Sequence, residues 1–586
     1  MKTRLNEKNQ ENLEDKTLNI ITERVDDIPL LIGMMIKMGL PEILDKTLPS
    51  HWKQRSLSWG WTITIWLSYI LSTGDHRKVS METYVCEMKN TLTRLTGQEV
   101  EPLDFSDDRL SHVLTHLSKP KYWDKIETEV NTRSIEVYEL PQETVRCDAT
   151  TVSGYHTVTD TGVMQFGHSK DDPGRPQLKL MTGALDPMGM PLATDTVSGE
   201  QADDGLYIPI IERIIASLNK PGLLFVGDCK MSALAIRSYI AGHHHFYLSP
   251  LALVGNTASF MSKWIDDGVE KDKQGELEQV FRTNDRGDTV LAAQGYEFER
   301  ELLDENLDAY KERVLVIHSP NHAQQQARGL EQRLENAQQK IEALTPARGR
   351  GKRQITEEEK LAAAIDKILK SHRVADVLEI DYEKQVEQKT KYVGKGRGSK
   401  NRKRQTVEKV RYQIIRVRRC EDKIAEQKQR FGWKAFATNV SGERLPLKDA
   451  VLSYRNEYRV ERIFNRLKSR LNIAPMFVRL DDQIEGMTYL LMLGVRVLTL
   501  TEFVIRRSLQ ADETGLPDLH LENKKKKQKK PTAERILSAF LGITLTVIQD
   551  RNTGKQMKHI SPLSAVQCEI LQRLGLNINI YQLLEN

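Results

Sequence analysis

The residue types and spacings best suited to chemistry gather in VLSYRNEYRVERIFNRLKSRL, residues 451 to 471. Read as a helix turning about 100° per residue, Tyr454 and Lys468 fall about 20° to either side of Glu461, and Glu457 lies about 40° away. A carboxylate would thus stand between a phenol and an ammonium. Arg455 with Arg459, and Arg462 with Arg466, are i, i+4 pairs that would lay a strip of guanidinium groups beside that face. Such segregation suits a polyanion, although the same composition also describes a surface helix laced with salt bridges.

Partners for the glutamate must come from elsewhere. Two short apolar runs each end in an aspartate: ETVRCDATTVSG at Asp148 and GLLFVGDCKMSAL at Asp228. Both read as buried strands breaking into polar turns. The carboxyl ends of strands in a mixed or parallel sheet are where ligands bind.

Asp148, Asp228 and Glu461, with Tyr454 seven residues before the glutamate and Lys468 seven after, resemble the catalytic set of bacterial insertion-sequence transposases of the DDE type, in the branch marked by a Tyr-Arg-Glu-Lys signature. Between the aspartates, FGHSKDDPGRPQLKLMTGALDPMGMPLATDTVSGEQADD looks like that branch's loop, hairpin and SGNxxD-type turn. The resemblance spans roughly residues 20 to 510. It implies that the three acids hold two Mg²⁺ ions, with Mn²⁺ able to substitute, and that the chain cuts mobile-element ends and joins them to target DNA. It also implies that Tyr454 and Lys468 orient a terminal phosphate and that a homodimer acts on paired inverted-repeat ends by a hairpin route. Hard cations take oxygen ligands, so the residue types suit the ion.

Two positions depart from the pattern. Glu457 stands where the signature has arginine, and a carboxylate there would repel phosphate, which leaves Arg455 or Arg459 as the substitute. Gln177 stands where relatives often carry an acid. His168 and Lys170, in the loop after the first strand, are candidates for DNA contact or for ordering that loop.

The elements around these residues imply an α/β protein: a ribonuclease H-like mixed sheet with an α+β insertion, preceded by a helical N-terminal domain and followed by a small C-terminal tail. Strands are expected at 144–148, 177–185, 191–197, 223–228 and 245–249, with helices at 205–218 and 231–241. In the ribonuclease H-like order the first and fourth strands are neighbours, which would set Asp148 beside Asp228. The stretch between Asp228 and Glu461 is far longer than one crossover needs, so a subdomain must be inserted there. Residues 1–17 read as disordered, 18–138 as the helical domain and the expected site of DNA-end binding, and 139–250 with 440–510 as the catalytic domain. Residues 251–439 form the insertion, 511–530 a Lys-rich linker and 531–586 a tail of unreadable role. Within the insertion, Leu330, Leu334, Ala337, Ile341 and Leu344 followed by Leu361, Ile365 and Ile368 predict a helical hairpin. Leu378, Ile380 and Tyr382, then Val410, Tyr412 and Ile414, predict a β-ribbon whose cationic tip at 395–404 suits a DNA backbone or groove.

Net charge is only +5, so the distribution says more than the sum: basic runs lie at 348–353, 395–404 and 524–530. Each could neutralise phosphates or be a solvated loop. Five scattered cysteines without a C-x-x-C pair fit a reducing cytoplasm rather than a disulfide or zinc framework, and the resemblance implies association with a bacterial nucleoid. The charged N-terminus has no apolar core of a secretory signal. Apolar stretches from Leu57 and Met487 read as core helices, the first short for a span and the second carrying Arg496 and Glu502. Trp52, Trp59, Trp61 and Trp66 read as core rather than base-stacking residues. Consecutive His243, His244 and His245 point to alternate faces and do not suggest a chelate. GKGRG at 394–398 lacks the spacing of a nucleotide loop. A catalytically silent DNA-binding relative, and a nuclease without strand transfer, remain open as rival functions.

Overall fold

The computed structural model describes residues 18–50, 57–169, 171–284, 287–304, 307–347, 349, 352, 354–393, 403–517, 519 and 527–585. Lys170, Trp52, residues 1–17, residues 394–402 of the ribbon tip and residues 521–526 lie outside this set, as does the side chain of Glu457. The expectations of disorder at 1–17 and of a cationic ribbon tip therefore fall on residues that are not described. The chain divides into two compact units: one of Met1–Ser249, Asp304–Asp308 and Ser453–Asn586, the other of Pro250–Leu303 and Ala309–Leu452. Its strands are β1 (Leu18–Arg24), β2 (Thr144–Ser153), β3 (Gln177–Leu185), β4 (Met190–Ser198), β5 (Leu224–Gly227), β6 (Phe246–Pro250), β7 (Glu278–Thr283), β8 (Thr289–Asp304), β9 (Leu307–His318), β10 (Leu378–Tyr392), β11 (Arg404–Arg419), β12 (Trp433–Thr438), β13 (Thr544–Asp550) and β14 (Gln556–Ile560).

In the first unit the strand order is β4-β3-β2-β5-β6. β2, β3 and β4 are antiparallel neighbours, whereas β5 runs parallel to both β2 and β6. This is the ribonuclease H-like order, with the first and fourth strands of the sheet adjacent. The antiparallel part follows from tight links: the Asp186–Gly189 turn joins β3 to β4, with Gly189 at positive φ. The parallel part follows from helical crossovers, Tyr207–Leu218 before β5 and Leu234–Gly242 after it. Tyr207, Ile210, Ile211 and Ile214 form one buried stripe of the first crossover helix, at the spacing an amphipathic helix needs to cover a sheet.

The stretch from Met487 lies in one 31-residue helix, Asp481–Ala511, whose most apolar window is 94% buried. It is long and apolar enough to cross a membrane, but its burial is that of a core helix. At its centre Arg496, fully buried, donates to Glu127 and, at 2.9 Å, to the Pro191 carbonyl. Arg213 holds the other oxygen of Glu127 at 2.5 Å. Desolvation pushes the Glu127 carboxyl up and the Arg496 guanidinium down, and their attraction opposes both shifts. Trp123 stacks on Tyr489 at 4.4 Å beside this pair. Trp66 is fully buried, whereas Trp59 and Trp61 are half-buried.

The expected purely helical region from residue 18 begins instead with a strand. β1 pairs antiparallel with β13, from Leu18 opposite Asp550 to Arg24 opposite Thr544, and β13 pairs with β14. A local reading misses it because the partner lies at the other end of the chain. The C-terminal tail continues the contact: Tyr581 donates to the Asp26 carbonyl at 2.9 Å, Lys37 to the Leu574 carbonyl at 2.8 Å, and Arg94 to the Leu583 carbonyl at 2.9 Å.

In the second unit β12-β9-β8-β7 are successive neighbours, and a separate ribbon pairs β10 with β11 from Leu378↔Arg419 to Tyr392↔Arg404. Helices Pro320–Glu342 and Glu358–His372 form the hairpin expected from the heptad-like spacing. Leu330, Leu334, Val377, Leu378 and Ile424 seal its base, and Ile341, Leu361, Ile365 and Tyr412 its far end.

Candidate active site

β2 and β5 carry the two aspartates. The parallel register sets Cys147 opposite Gly227, so Asp148 and Asp228 follow side by side as β5 ends. Gly227 permits this approach: a Cβ there would sit 2.6 Å from Met231 Sδ and 3.3 Å from the Cys147 carbonyl oxygen. Asp228 then turns the chain, its Oδ1 accepting the Lys230 amide at 2.9 Å. The same oxygen accepts the hydroxyl of Tyr207 at 2.6 Å, from a ring that is 1% exposed. Burial, then the Asp228 carboxylate, its hydrogen bond and the Asp148 charge all push the Tyr207 phenol far up, so it remains a donor. Cys147 is fully buried, and desolvation with the Asp148 charge pushes its thiol up.

The helical stretch opposite departs from the continuous helix expected over 451–471. Leu447–Tyr454 is α-helical, Arg455–Glu457 tightens into a 3₁₀ turn, Tyr458–Asn465 is α-helical again, and Arg466–Arg470 widens into a π-turn. Each change of pitch rotates the residues beyond it about the axis, so the uniform angular spacing of Tyr454, Glu461 and Lys468 does not hold. Tyr454 and Val460 line a small cavity with Arg146, Cys147, Asp148, Val226 and Gly227. Glu461 is exposed on the next turn. Lys468 is paired with Asp171, both carboxylate oxygens at 2.9 Å, and so reaches the loop that carries exposed His168.

The guanidinium strip is also corrected. Arg462 and Arg466 converge on Glu502, which Arg506 meets at 2.7 Å, and Arg466 also donates to Thr499 at 3.0 Å. Arg459 contacts Asp186 Oδ2 at 3.0 Å. These arginines bind the helix to the fold through acids remote in sequence, which the i, i+4 pattern alone cannot reveal.

Sequence reasoning missed three residues. Arg146, 3% exposed, donates to Asp186 at 2.8 Å and to the Ser453 carbonyl at 2.7 Å, joining β2, the β3–β4 turn and the residue before Tyr454. Its signal was a charged residue two before Asp148 in an otherwise apolar strand. Asp186, 8% exposed, takes both Arg146 and Arg459 on one oxygen. Tyr207 had no local signal. Gln177 has a structural role: it is fully buried, its side-chain amide donating to the Gly199 carbonyl at 3.0 Å. His243 Nδ1 lies 2.8 Å from the Tyr239 carbonyl oxygen, and the His245 ring accepts the Leu223 amide at 3.2 Å.

Asp148 and Asp228 are hard oxygen donors side by side, a fit to a divalent cation shared between them, although Asp148 lies midway along β2 (Thr144–Ser153) rather than at the strand end expected at residue 148. Among the described residues, no three His, Cys, Asp or Glu side chains are grouped closely enough to hold one ion, so Glu461 is not gathered into that pair.

Compared with known proteins, residues 20–124 match a domain of unknown function, DUF4277. No curated protein matches the chain. A cryo-EM structure of a piggyBac transposase synaptic complex with hairpin DNA is similar over 87% of this chain and 79% of that one, at 6% identity and a TM-score of 0.37. Residues 141–495, more than half of the chain, match the transposase DDE domain and contain both aspartates and the broken helix. The chain belongs to the DDE transposase family.

Proposed function

We propose that this protein is a bacterial insertion-sequence transposase that cuts DNA at the inverted repeats of its own element and joins the freed 3′ hydroxyls to a target. The observation that carries the proposal is Asp148 on β2 beside Asp228 at the end of β5, with Asp148 lining a small cavity that Tyr454 also lines. Asp148 and Asp228 would hold the two Mg²⁺ ions that the resemblance implies, with Mn²⁺ able to substitute, and Glu461, which stands outside that pair in this structure, would have to move in to complete the set. When bound, such a pair polarises the attacking oxygen and neutralises the leaving oxygen of an in-line displacement.

The remaining roles belong to the chain itself. Tyr207 fixes the rotamer of Asp228, and Arg146 fixes the backbone that presents Tyr454. Tyr454 and Lys468 would orient a terminal phosphate, for which Lys468 must exchange Asp171 for the anion. Arg455 or Arg459 would substitute for the signature arginine, and Arg459 would have to exchange Asp186 for the phosphate. His168 and Lys170 extend the DNA contact along the same loop. The 18–138 region would meet the element ends, and a homodimer would act on paired ends through hairpin intermediates in the cytoplasm.

The test supplies purified protein, Mg²⁺ and a duplex bearing the inverted repeats that flank its gene. Nicked or hairpin ends plus joined products are expected, and Asp148→Asn should abolish them while retaining end binding. Robust cleavage by that variant would overturn the assignment. Cleavage without joining would favour a nuclease, and binding alone a silent DNA-binding relative.

A further inference from the structure

The β10–β11 ribbon presents two unlike faces. Tyr382, Val410, Tyr412 and Ile414 pack on the helical hairpin, which fixes one face against the core of the second unit. Residues alternate across a strand, and the register sets Gln385 opposite Arg411 and Glu387 opposite Lys409, so these four and Lys389 share the opposite face. The chain just before the Glu358–His372 helix runs along the free edge of β11 and is tied to it where the Tyr412 amide donates to the Ile355 carbonyl at 3.0 Å. Between that strap and the ribbon lies a groove lined by Lys352, Lys389, Lys409 and Arg411, with Glu387 and Glu408 as its acids.

Arg411 distinguishes this groove from a solvated charge cluster. Among the described residues its guanidinium is held by carboxamide oxygens only: Gln385 at 2.8 Å, Gln413 at 2.7 Å and Gln354 at 3.4 Å. Neutral acceptors orient the group and leave its positive charge uncompensated. Arg462, Arg466 and Arg506 show the contrary arrangement, sharing the carboxylate of Glu502. Lys389 has only a loose pair with Glu387, at 3.8 Å. Lys352 and Lys409 are exposed and have no carboxylate within ion-pair distance among the described residues.

We infer that this groove is a second DNA-binding surface, which takes the phosphodiester backbone of duplex DNA with Arg411 as its oriented anchor and Lys352 and Lys409 as point charges. The inference rests on the transposase reading for its ligand, but not on the catalytic residues. A ribbon of fifteen residues extends about 50 Å, enough to follow several base pairs. Contacts of this kind carry no base preference and act through counterion release.

The experiment measures binding of the full-length protein to a duplex without the inverted repeats, over a series of salt concentrations. The variants are Lys352→Gln/Lys409→Gln, which alters exposed side chains only, and the same pair with Arg411→Gln. The slope of log affinity against log salt should fall by about 1.8 for the double and about 2.7 for the triple variant, at about 0.9 for each phosphate no longer neutralised. A protein that binds duplex with a slope unchanged in the double variant would overturn the groove and leave the transposase reading intact. A wild-type protein that binds no duplex at any salt would overturn both.

Discussion

Tyr207→Phe removes a single oxygen from a ring that otherwise keeps its place beneath Asp228. The lost hydroxyl donates at 2.6 Å to a carboxylate oxygen, and the ring is 1% exposed, so bulk solvent does not replace the bond. Hydrogen bonds to charged groups contribute about 1.5 to 3 kcal/mol. Asp228 keeps the Lys230 amide at 2.9 Å on the same oxygen, so its side chain loses one of its anchors and not the turn. The change should therefore appear mainly in cation binding, where removing a partner of a metal ligand typically costs about ten- to a hundredfold in affinity. The assay is a Mg²⁺ titration of strand nicking by wild type and variant, with a urea melt to confirm that the variant folds and duplex binding as a further control. Half-saturation should move up by about tenfold or more, with duplex affinity unchanged. A folded variant with wild-type half-saturation would refute the idea that Tyr207 positions Asp228.

Asp186→Asn leaves Arg146 and Arg459 without their shared carboxylate in a site where Asp186 is 8% exposed; breaking a buried pair from one side costs about 3 to 5 kcal/mol, and a urea midpoint change worth less than about 1 kcal/mol would contradict the role assigned to it. Glu485 is pushed from 4.5 to about 7 by burial and then by Asp481 and Asp482. An acid raised in the folded state stabilises fully below its unfolded value and loses that contribution as pH rises, so Glu485→Gln should flatten the fall in melting temperature between pH 4.5 and about 7; an unchanged profile would show the charge to be screened. Val547→Asp places an unpaired carboxylate at a 1% exposed position of β13, and hydrogen exchange over residues 18–24 should rise sharply while β2 and β5 stay protected.

The parts of the site legible in sequence were those set by local pattern. Apolar runs of strand length ending at Asp148 and Asp228 marked both elements and, through the order of strands and helices, their adjacency. The hairpin and ribbon of the insertion were legible for the same reason: their periodicities of 3.5 and 2 are local. The illegible parts depend on partners distant in the chain. The arginine strip was read from spacing alone, while Glu502 and Asp186, which decide what those arginines do, lie on other elements. The turns of different pitch at Arg455–Glu457 and Arg466–Arg470 leave no periodic trace, so an even helical wheel misplaced Glu461. β1 was missed because a strand seven residues long is defined by its partner, not by its own composition.

The antiparallel match of β1 with β13 has a temporal consequence during synthesis. Ribosomes deliver the chain from the amino end, so Leu18–Arg24 emerge long before residues 544–550 exist. Until then the first strand is an open edge, and the chain behind it lacks the bonds that Tyr581 makes to Asp26 and Leu574 to Lys37. Pairing over so great a sequence separation is entropically slow. The amino-terminal region thus completes its fold only after residues 544–550 have been translated, and a nascent, ribosome-tethered copy that has not reached them presents that region unfinished.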